Sequence, residues 1–287
     1  MVHAARTSRI YRLERQRFPR DVDMATLIGG ALDDNPSFRS TRDALFGGGM
    51  VLFQPQRGEG YRTNVDALLL AGFAAASRPA FPRPIDDERA PRALPLAYDL
   101  GAGVGAVGLS LLRFGAAGHV VFIEIDEAPA EMARRNLAAN GWSERGEVVQ
   151  ADVQDVARMR QGEAELVVCN PPYIQPGRGR ASPAEARARV GDLSTFVQAA
   201  RQLAGRRARV CFIYPAADLA TLLSTLEAQG LHPKRLRLVH ATPSARARVA
   251  LVEARPGRAG GLMVLPPLVE RTSQEYTPEL RSLLVGE

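Results

Sequence analysis

The chain has 287 residues, 46% of them apolar and 24% charged, which is enough to bury a full core and is ordinary for a water-soluble globular protein. No run of about 18 apolar residues occurs, so no membrane-spanning helix is expected, and the Arg-rich stretch from Met1 to Arg20 lacks the apolar segment of a secretory signal. A net charge of +6 suits a polyanionic partner such as a nucleic acid, although only one of the 37 basic residues, Lys234, is a lysine.

Residues 1–45 show little periodicity and read as a basic arm with at most a short helix. Arg6, Arg9, Arg12, Arg15, Arg17 and Arg20 crowd its start, and Asp33-Asp34-Asn35-Pro36 forms turns near its end. Residues 46–77 read as a strand and a helix. The glycines 47–49 lead into Met50–Phe53, and after a turn at Arg57-Gly58-Glu59-Gly60 the stretch Asn64–Ala76 places Val65, Leu68, Leu69 and Gly72 on one helical stripe. Five prolines mark 78–95 as a surface linker before a main domain at 96–287.

Within that domain, strand-like and helix-like runs alternate: Leu96–Leu100, Val104–Phe114, His119–Ile125, Ala128–Asn140, Glu147–Gln150, Leu166–Cys169, Leu193–Ala204 and Ala208–Ile213. A helix carrying Leu219, Leu222, Leu223 and Leu226 on one face follows, and Arg235–His240 and Arg248–Glu253 lie close enough to form a hairpin. The pattern predicts an α/β fold with a mostly parallel seven-stranded sheet, an antiparallel edge hairpin and helices on both faces. Thr277-Pro278-Glu279 has the N-cap, first-position proline and first-turn acid of a last helix. Cys169 and Cys211 fall inside apolar strands, and the four histidines are scattered. The expectation is a protein of the reducing cytoplasm with neither disulfides nor a metal site.

The first strand of the alternation ends in Asp99-Leu100-Gly101-Ala102-Gly103-Val104-Gly105. Glycines here let the backbone turn tightly at the carboxyl end of a strand, where open α/β sheets bind ligands. Gly103, Gly105 and Gly108 also spell the G-x-G-x-x-G of dinucleotide-binding proteins. The flanking acids point elsewhere. Asp99 would oppose a pyrophosphate but attract the cationic end of an amino acid. Glu124, ending the second strand, is an acceptor suited to two ribose hydroxyls, and Asp152, after the third, could accept from an adenine amino group or simply cap a helix.

The chemistry is carried by Val168-Cys169-Asn170-Pro171-Pro172-Tyr173, a buried strand that runs straight into Asn, two prolines and an aromatic. An exocyclic amino group on a planar base or amide is a poor nucleophile because its lone pair is delocalised. Acceptors on both its hydrogens, the Asn170 side-chain oxygen and the Pro171 carbonyl, would hold it and favour pyramidalisation, while the prolines stiffen the loop. Tyr173 offers a flat face for stacking. In-line transfer of a methyl group from a sulfonium then depends mainly on alignment, and needs neither a metal nor a nucleophilic side chain.

With these motifs, the chain resembles the Rossmann-like class I methyltransferases that use S-adenosylmethionine and release S-adenosylhomocysteine, in the branch with the N-P-P-Y motif. Within it, the chain resembles the bacterial tRNA1(Val) adenine-N6 methyltransferases from about Phe46 onward. Gln54-Pro55, the run from Gly60 to Leu70, Ser182-Pro183, Ala186-Arg187, Asp192-Leu193 and Gln274-Glu275-Tyr276-Thr277 carry that likeness beyond the core motifs. The resemblance implies that Asp99, Gly101, Gly103 and Glu124 hold the cofactor, with Thr63 and Asp66 near its methionine end and Asp152 near its adenine. Asn170, Pro171, Pro172 and Tyr173 would grip the target amine, with Asn170 bordering the cofactor as well. RNA, tRNA in this family, would dock on the basic arm and on the loop from Pro176 to Arg189, where Arg178, Arg180 and Arg187 lie. The arm and the proline linker depart from the family pattern. Alternatives are a protein-glutamine methyltransferase acting on release factors, a DNA adenine methyltransferase, and a catalytically silent RNA-binding protein on the same fold.

Overall fold

A computed structural model describes residues 31–32, 40–56, 62–76, 94–171 and 193–286. The arginines of the arm, most of the proline-rich linker, Pro172, Tyr173, Arg178, Arg180 and Arg187 lie outside the described residues.

The chain first forms a small antiparallel sheet of β1 (Ala31–Leu32), β2 (Ser40–Leu45) and β3 (Met50–Pro55). The sequence pattern places no strand before residue 45. Ser40–Leu45 is one, paired along its length with Met50–Pro55, and it is hard to see because two of its buried positions are the polar Ser40 and Asp43. The glycine cluster makes the turn between these strands, with Gly47 and Gly48 at φ of 61° and 94°, a region that favours glycine.

The helix α1 (Val65–Ala75) follows, capped by the Asn64 side chain, which accepts from the Asp66 N–H. One apolar stripe is expected here. Instead every residue from Asp66 to Ala74 is buried, because α1 lies between the main sheet and other helices.

The main sheet begins with β4 (Leu94–Leu100) and continues through β5 (Ala117–Glu124), β6 (Gly146–Gln150), β7 (Ala164–Cys169) and β8 (Ala204–Pro215). It closes with β9 (Leu231–His240) and β10 (Ala247–Pro256). Their order is β6-β5-β4-β7-β8-β10-β9. The first five pair in parallel, and the β9–β10 hairpin adds antiparallel with β10 inserted next to β8. Two strands of two residues each, Met263–Val264 and Leu268–Val269, run parallel along β9. The sheet therefore has nine strands rather than the seven expected, its two extra members being too short to leave a periodic signal.

The connecting helices are α2 (Ala106–Arg113), α3 (Glu127–Ala139), α4 (Val153–Met159), α5 (Leu193–Leu203), α6 (Leu219–Ala228) and α7 (Pro278–Val285). Strand alternation divides the core between them. Ala97, Phe122, Val168 and Ile213 pack with α1, α2, α3 and α7 on one face, whereas Tyr98, Ile123, Cys169 and Phe212 pack with α4, α5 and α6 on the other. The last helix starts as expected, with the Thr277 hydroxyl accepting from the Leu280 N–H.

The small sheet is joined to this core by side-chain amides. Asn136 accepts from the Phe53 N–H at 2.6 Å and donates to the carbonyls of Phe53 and Val104, each at 2.9 Å. Asn140 accepts from the Val51 N–H and donates to the Val51 carbonyl, both at 2.8 Å. Four residues along a helix rise about 6 Å, close to the spacing of two strand residues. Two asparagines at i and i+4 can therefore satisfy alternate residues of the β3 edge as a neighbouring strand would.

The two ends of α1 are pinned to opposite ends of the main sheet. At its C-terminus Arg209 donates to the Ala74 carbonyl at 2.6 Å and Arg235 to that of Ala76 at 2.8 Å, and both guanidiniums also pair with the fully buried Glu253. At its N-terminus Asp66 pairs with Arg248 at 2.6 Å, at the start of β10. The β10–β8 register puts Val249 opposite Pro215, so this second anchor lies at the carboxyl ends of the parallel strands. The helix thus runs antiparallel to them, with its N-terminus at the end where ligands bind in this architecture.

Asn136→Ala should destabilise the protein by about 3 kcal/mol, because it strands the buried Phe53 N–H and carbonyl groups that Asn136 satisfies. Urea unfolding checks this, and a midpoint within error of the wild type would show that these bonds do not hold the small sheet in place.

Candidate active site

Leu100 of β4 lies opposite Cys169 of β7 on one side and Ile123 of β5 on the other. The next residue along each chain, Asn170, Gly101 and Glu124, therefore stands in one row at the carboxyl edge of the sheet. Leu100, Ile123 and Cys169 pack on the α4–α6 face. By alternation Asp99, Glu124 and Asn170 all project toward the face covered by α1–α3. At the usual strand spacing, Asn170 and Glu124 stand about 10 Å apart across the glycine turn.

That turn is held by the two carboxylates. Gly101, Gly103 and Gly105 have φ of 63°, 56° and 86°, so the loop depends on glycine. The Glu124 carboxylate accepts from the Gly103 N–H at 2.7 Å and from the Asp126 N–H at 3.0 Å, and it is only 8% exposed. Asp99, 1% exposed, accepts from the Gly108 N–H at 2.8 Å in the first turn of α2. A Cβ at Gly108 would lie 2.3 Å from Cε1 of Phe122. The third glycine of the G-x-G-x-x-G pattern is accounted for by close packing of helix on strand.

Burial raises the Asp99 carboxyl to about 7, opposed by the Gly108 hydrogen bond and reinforced by the nearby charge of Glu124. Glu124 is also raised, mainly by burial, against the two N–H groups of Asp126 and Gly103 that stabilise its charge.

Asn170 stands at the tip of β7, beside the glycine turn. Its side-chain oxygen is buried and has no hydrogen-bond partner among the described residues, an uncommon state for a buried acceptor. Pro171 is buried after it. Asp152 caps α4, accepting from the Gln154 N–H at 2.7 Å. Thr63 donates its N–H to the Gln54 side-chain oxygen at 2.9 Å. Gln54 in turn donates to Asp43, which also takes Arg62 at 2.8 Å. Asp66 is fully buried against Arg248, its other oxygen accepting from the Asn64 amide at 3.2 Å.

Reading the sequence did not pick out Ile125, Asp43 or Arg248. Ile125 is 61% exposed beside Glu124, and an apolar residue directly after a strand-ending acid was the available signal. Asp43 and Arg248 left none, since a lone charge in a strand reads as a solvated residue.

The methyltransferase small domain family matches residues 92–187. A tRNA1(Val) (adenine(37)-N6)-methyltransferase of Cronobacter sakazakii is 30% identical over 184 residues, covering 63% of this chain and 75% of that protein. The chain belongs to this methyltransferase family. The enzyme of the same name from Erwinia tasmaniensis is 34% identical over 138 residues, 47% of this chain, and the match spans little more than half, 56%, of that relative's length. Among solved structures, a predicted O-methyltransferase of Agrobacterium tumefaciens aligns with a TM-score of 0.59 at 25% identity, covering 77% of this chain and 96% of its own. M. jannaschii TYW2 in complex with AdoMet shares the fold at a TM-score of 0.50 and 12% identity, over 78% of this chain and 91% of its own.

The protein should show a pH signature of Asp99. Its folded-state pKa of about 7 lies above the ordinary value of 3.8, so from about pH 4 to pH 7 the folded chain keeps a proton that the unfolded chain releases. Stability contributed by this group is complete below that window and is lost as pH rises through it. Asp99→Asn removes the dependence, so the melting temperature of the variant should gain on that of the wild type from pH 5 to pH 8. Parallel curves for the two proteins would mean that Asp99 titrates normally.

Proposed function

We propose that this chain is a cytoplasmic enzyme that transfers the methyl group of S-adenosylmethionine to the exocyclic N6 amino group of an adenine in tRNA. The observation that carries this reading is the unpartnered buried oxygen of Asn170, set in the same row as Gly101 and Glu124.

The residues fit the donor. Among the described residues no atom lies within 4 Å of the point where a Cβ on Gly103 would stand, so the glycine turn presents open backbone there. Asp99 supplies a negative charge for an ammonium group, Glu124 supplies an acceptor for ribose hydroxyls, and the exposed Ile125 supplies an apolar surface for a purine. When bound, S-adenosylmethionine contributes an electrophilic methyl group on a sulfonium. The protein contributes alignment. The Asn170 oxygen and the Pro171 carbonyl accept from the two amino hydrogens, which localises the nitrogen lone pair and turns it toward the methyl; the proton released after transfer passes to water.

A carboxamide accepts a hydrogen bond but does not take up a proton. The site therefore suits an amine, which must be oriented, better than an alcohol, which must be deprotonated. This favours N-methylation over the O-methylation named for the Agrobacterium neighbour. The choice of adenine in tRNA is supported by the names of the curated relatives and by the basic character of the chain. Arg178, Arg180 and Arg187 with Tyr173, which follow Asn170 in the sequence, are the proposed RNA and base contacts.

The test is incubation with labelled S-adenosylmethionine and separate pools of tRNA, ribosomal RNA, DNA and release factor, followed by mass spectrometry of nucleosides and peptides. N6-methyladenosine in the tRNA pool alone is expected, whereas a methylated glutamine in release factor would overturn the RNA assignment. Asn170→Ala should lower transfer about a hundredfold or more while calorimetry shows S-adenosylhomocysteine binding close to wild type. Full activity in that variant would remove the mechanism.

A further inference from the structure

Arg248 occupies an irregular position. In the β9–β10 ladder Ala247 pairs with His240 and Val249 with Val239, so Arg248 is the extra residue of a β-bulge. A bulge breaks the regular ladder and re-aims one side chain, and such features recur beside active sites. Here the guanidinium reaches Asp66 of α1 at 2.6 Å with one nitrogen and Glu270 with the other. Asp66 is fully buried and Arg248 is 32% exposed on its side chain.

Stability alone is a poor explanation. A buried ion pair sacrifices hydration on both partners, and apolar side chains of similar size usually serve stability as well. What the pair does provide is a fixed position for the second residue of α1 at the carboxyl edge of the sheet. The segment just before it is fixed independently, by Gln54 on the Thr63 N–H and by Asp43 on Arg62. Both anchors act on the five residues Arg62–Asp66, and β10 reaches Asp66 through the bulged side chain. Both outer nitrogens of Arg248 are engaged by acids, whose charges offset its own.

We propose that Arg248 is a positioning residue for methyl transfer: through Asp66 it holds the N-terminus of α1 in the place that the donor requires. This rests on the reading of the crevice as a donor site. It also recasts Asp66 as an anchor rather than a group that meets the cofactor directly.

The experiment is calorimetry with S-adenosylhomocysteine on the full chain, wild type against Arg248→Gln and Arg248→Lys, with melting temperatures and steady-state kinetics measured alongside. Arg248→Gln should weaken binding and raise the KM for S-adenosylmethionine by about tenfold with little change in kcat, the pattern of a displaced binding element. Arg248→Lys keeps the charge but not the reach to both acids. It should fall between the two, and it carries the test if Arg248→Gln does not fold. A lowered melting temperature with wild-type affinity in the folded variants would overturn the proposal alone. A wild-type chain that fails to bind S-adenosylhomocysteine would overturn the donor reading and the proposal with it.

Discussion

Two carboxylates buried at the ends of neighbouring strands hold the glycine turn of this protein. Asp99 takes the Gly108 N–H and Glu124 takes the Gly103 N–H, so the middle of the turn and the helix that follows it are each tied to an acid that has lost most of its hydration. Their proximity is unfavourable, and the Asp99 carboxyl rises to about 7 as a result of burial and of its neighbour's charge. A site of this kind favours cations and hydroxyl donors. The N–H groups of Gly103, Gly105 and Gly108, which shape the turn, are all bonded within the fold. That geometry suits a reaction in which alignment supplies most of the acceleration.

The rest of the molecule keeps this crevice in register with what surrounds it. Asn136 bonds both Phe53 in the small sheet and Val104 in the glycine turn, so one side chain joins the two. Glu253 gathers Arg209, Arg235 and Arg255 at the lower end of α1, while Arg248 and Asp66 fasten the upper end. These contacts are polar and directional, whereas the apolar clusters on the two faces of the sheet set layer spacing without fixing rotation. Gln54 lies in the small sheet and Thr63 and Asp66 at the start of α1, so their placement depends on the directional set.

Much of this was legible in the chain itself. The alternation from Leu96 onward marks strands that are buried on both faces, and it led to the sheet and its hairpin, while Thr277-Pro278-Glu279 marked the start of the last helix. Asp99, Glu124 and Asn170 stand out in the sequence because each lies at the carboxyl end of such a strand, and the strand order sets those three ends side by side. The N-terminal sheet was not legible, since Ser40 and Asp43 occupy core positions and a search for apolar alternation passes over them. The encirclement of α1 was hidden for the opposite reason: a helix buried on all sides has no stripe to find. Side-chain amides that substitute for a strand, and an arginine redirected by a bulge, leave no periodic trace, because their partners lie far away in sequence.

Methyl transfer as proposed requires one crevice that presents a donor's ribose to Glu124 and an amine to Asn170. A crystal structure with S-adenosylhomocysteine and adenosine tests this most directly. The expected result is the Glu124 carboxylate on the ribose hydroxyls and the Asn170 side-chain oxygen about 3 Å from the adenine N6. Nucleoside bound elsewhere, or an Asn170 amide turned away from the amine, would contradict it.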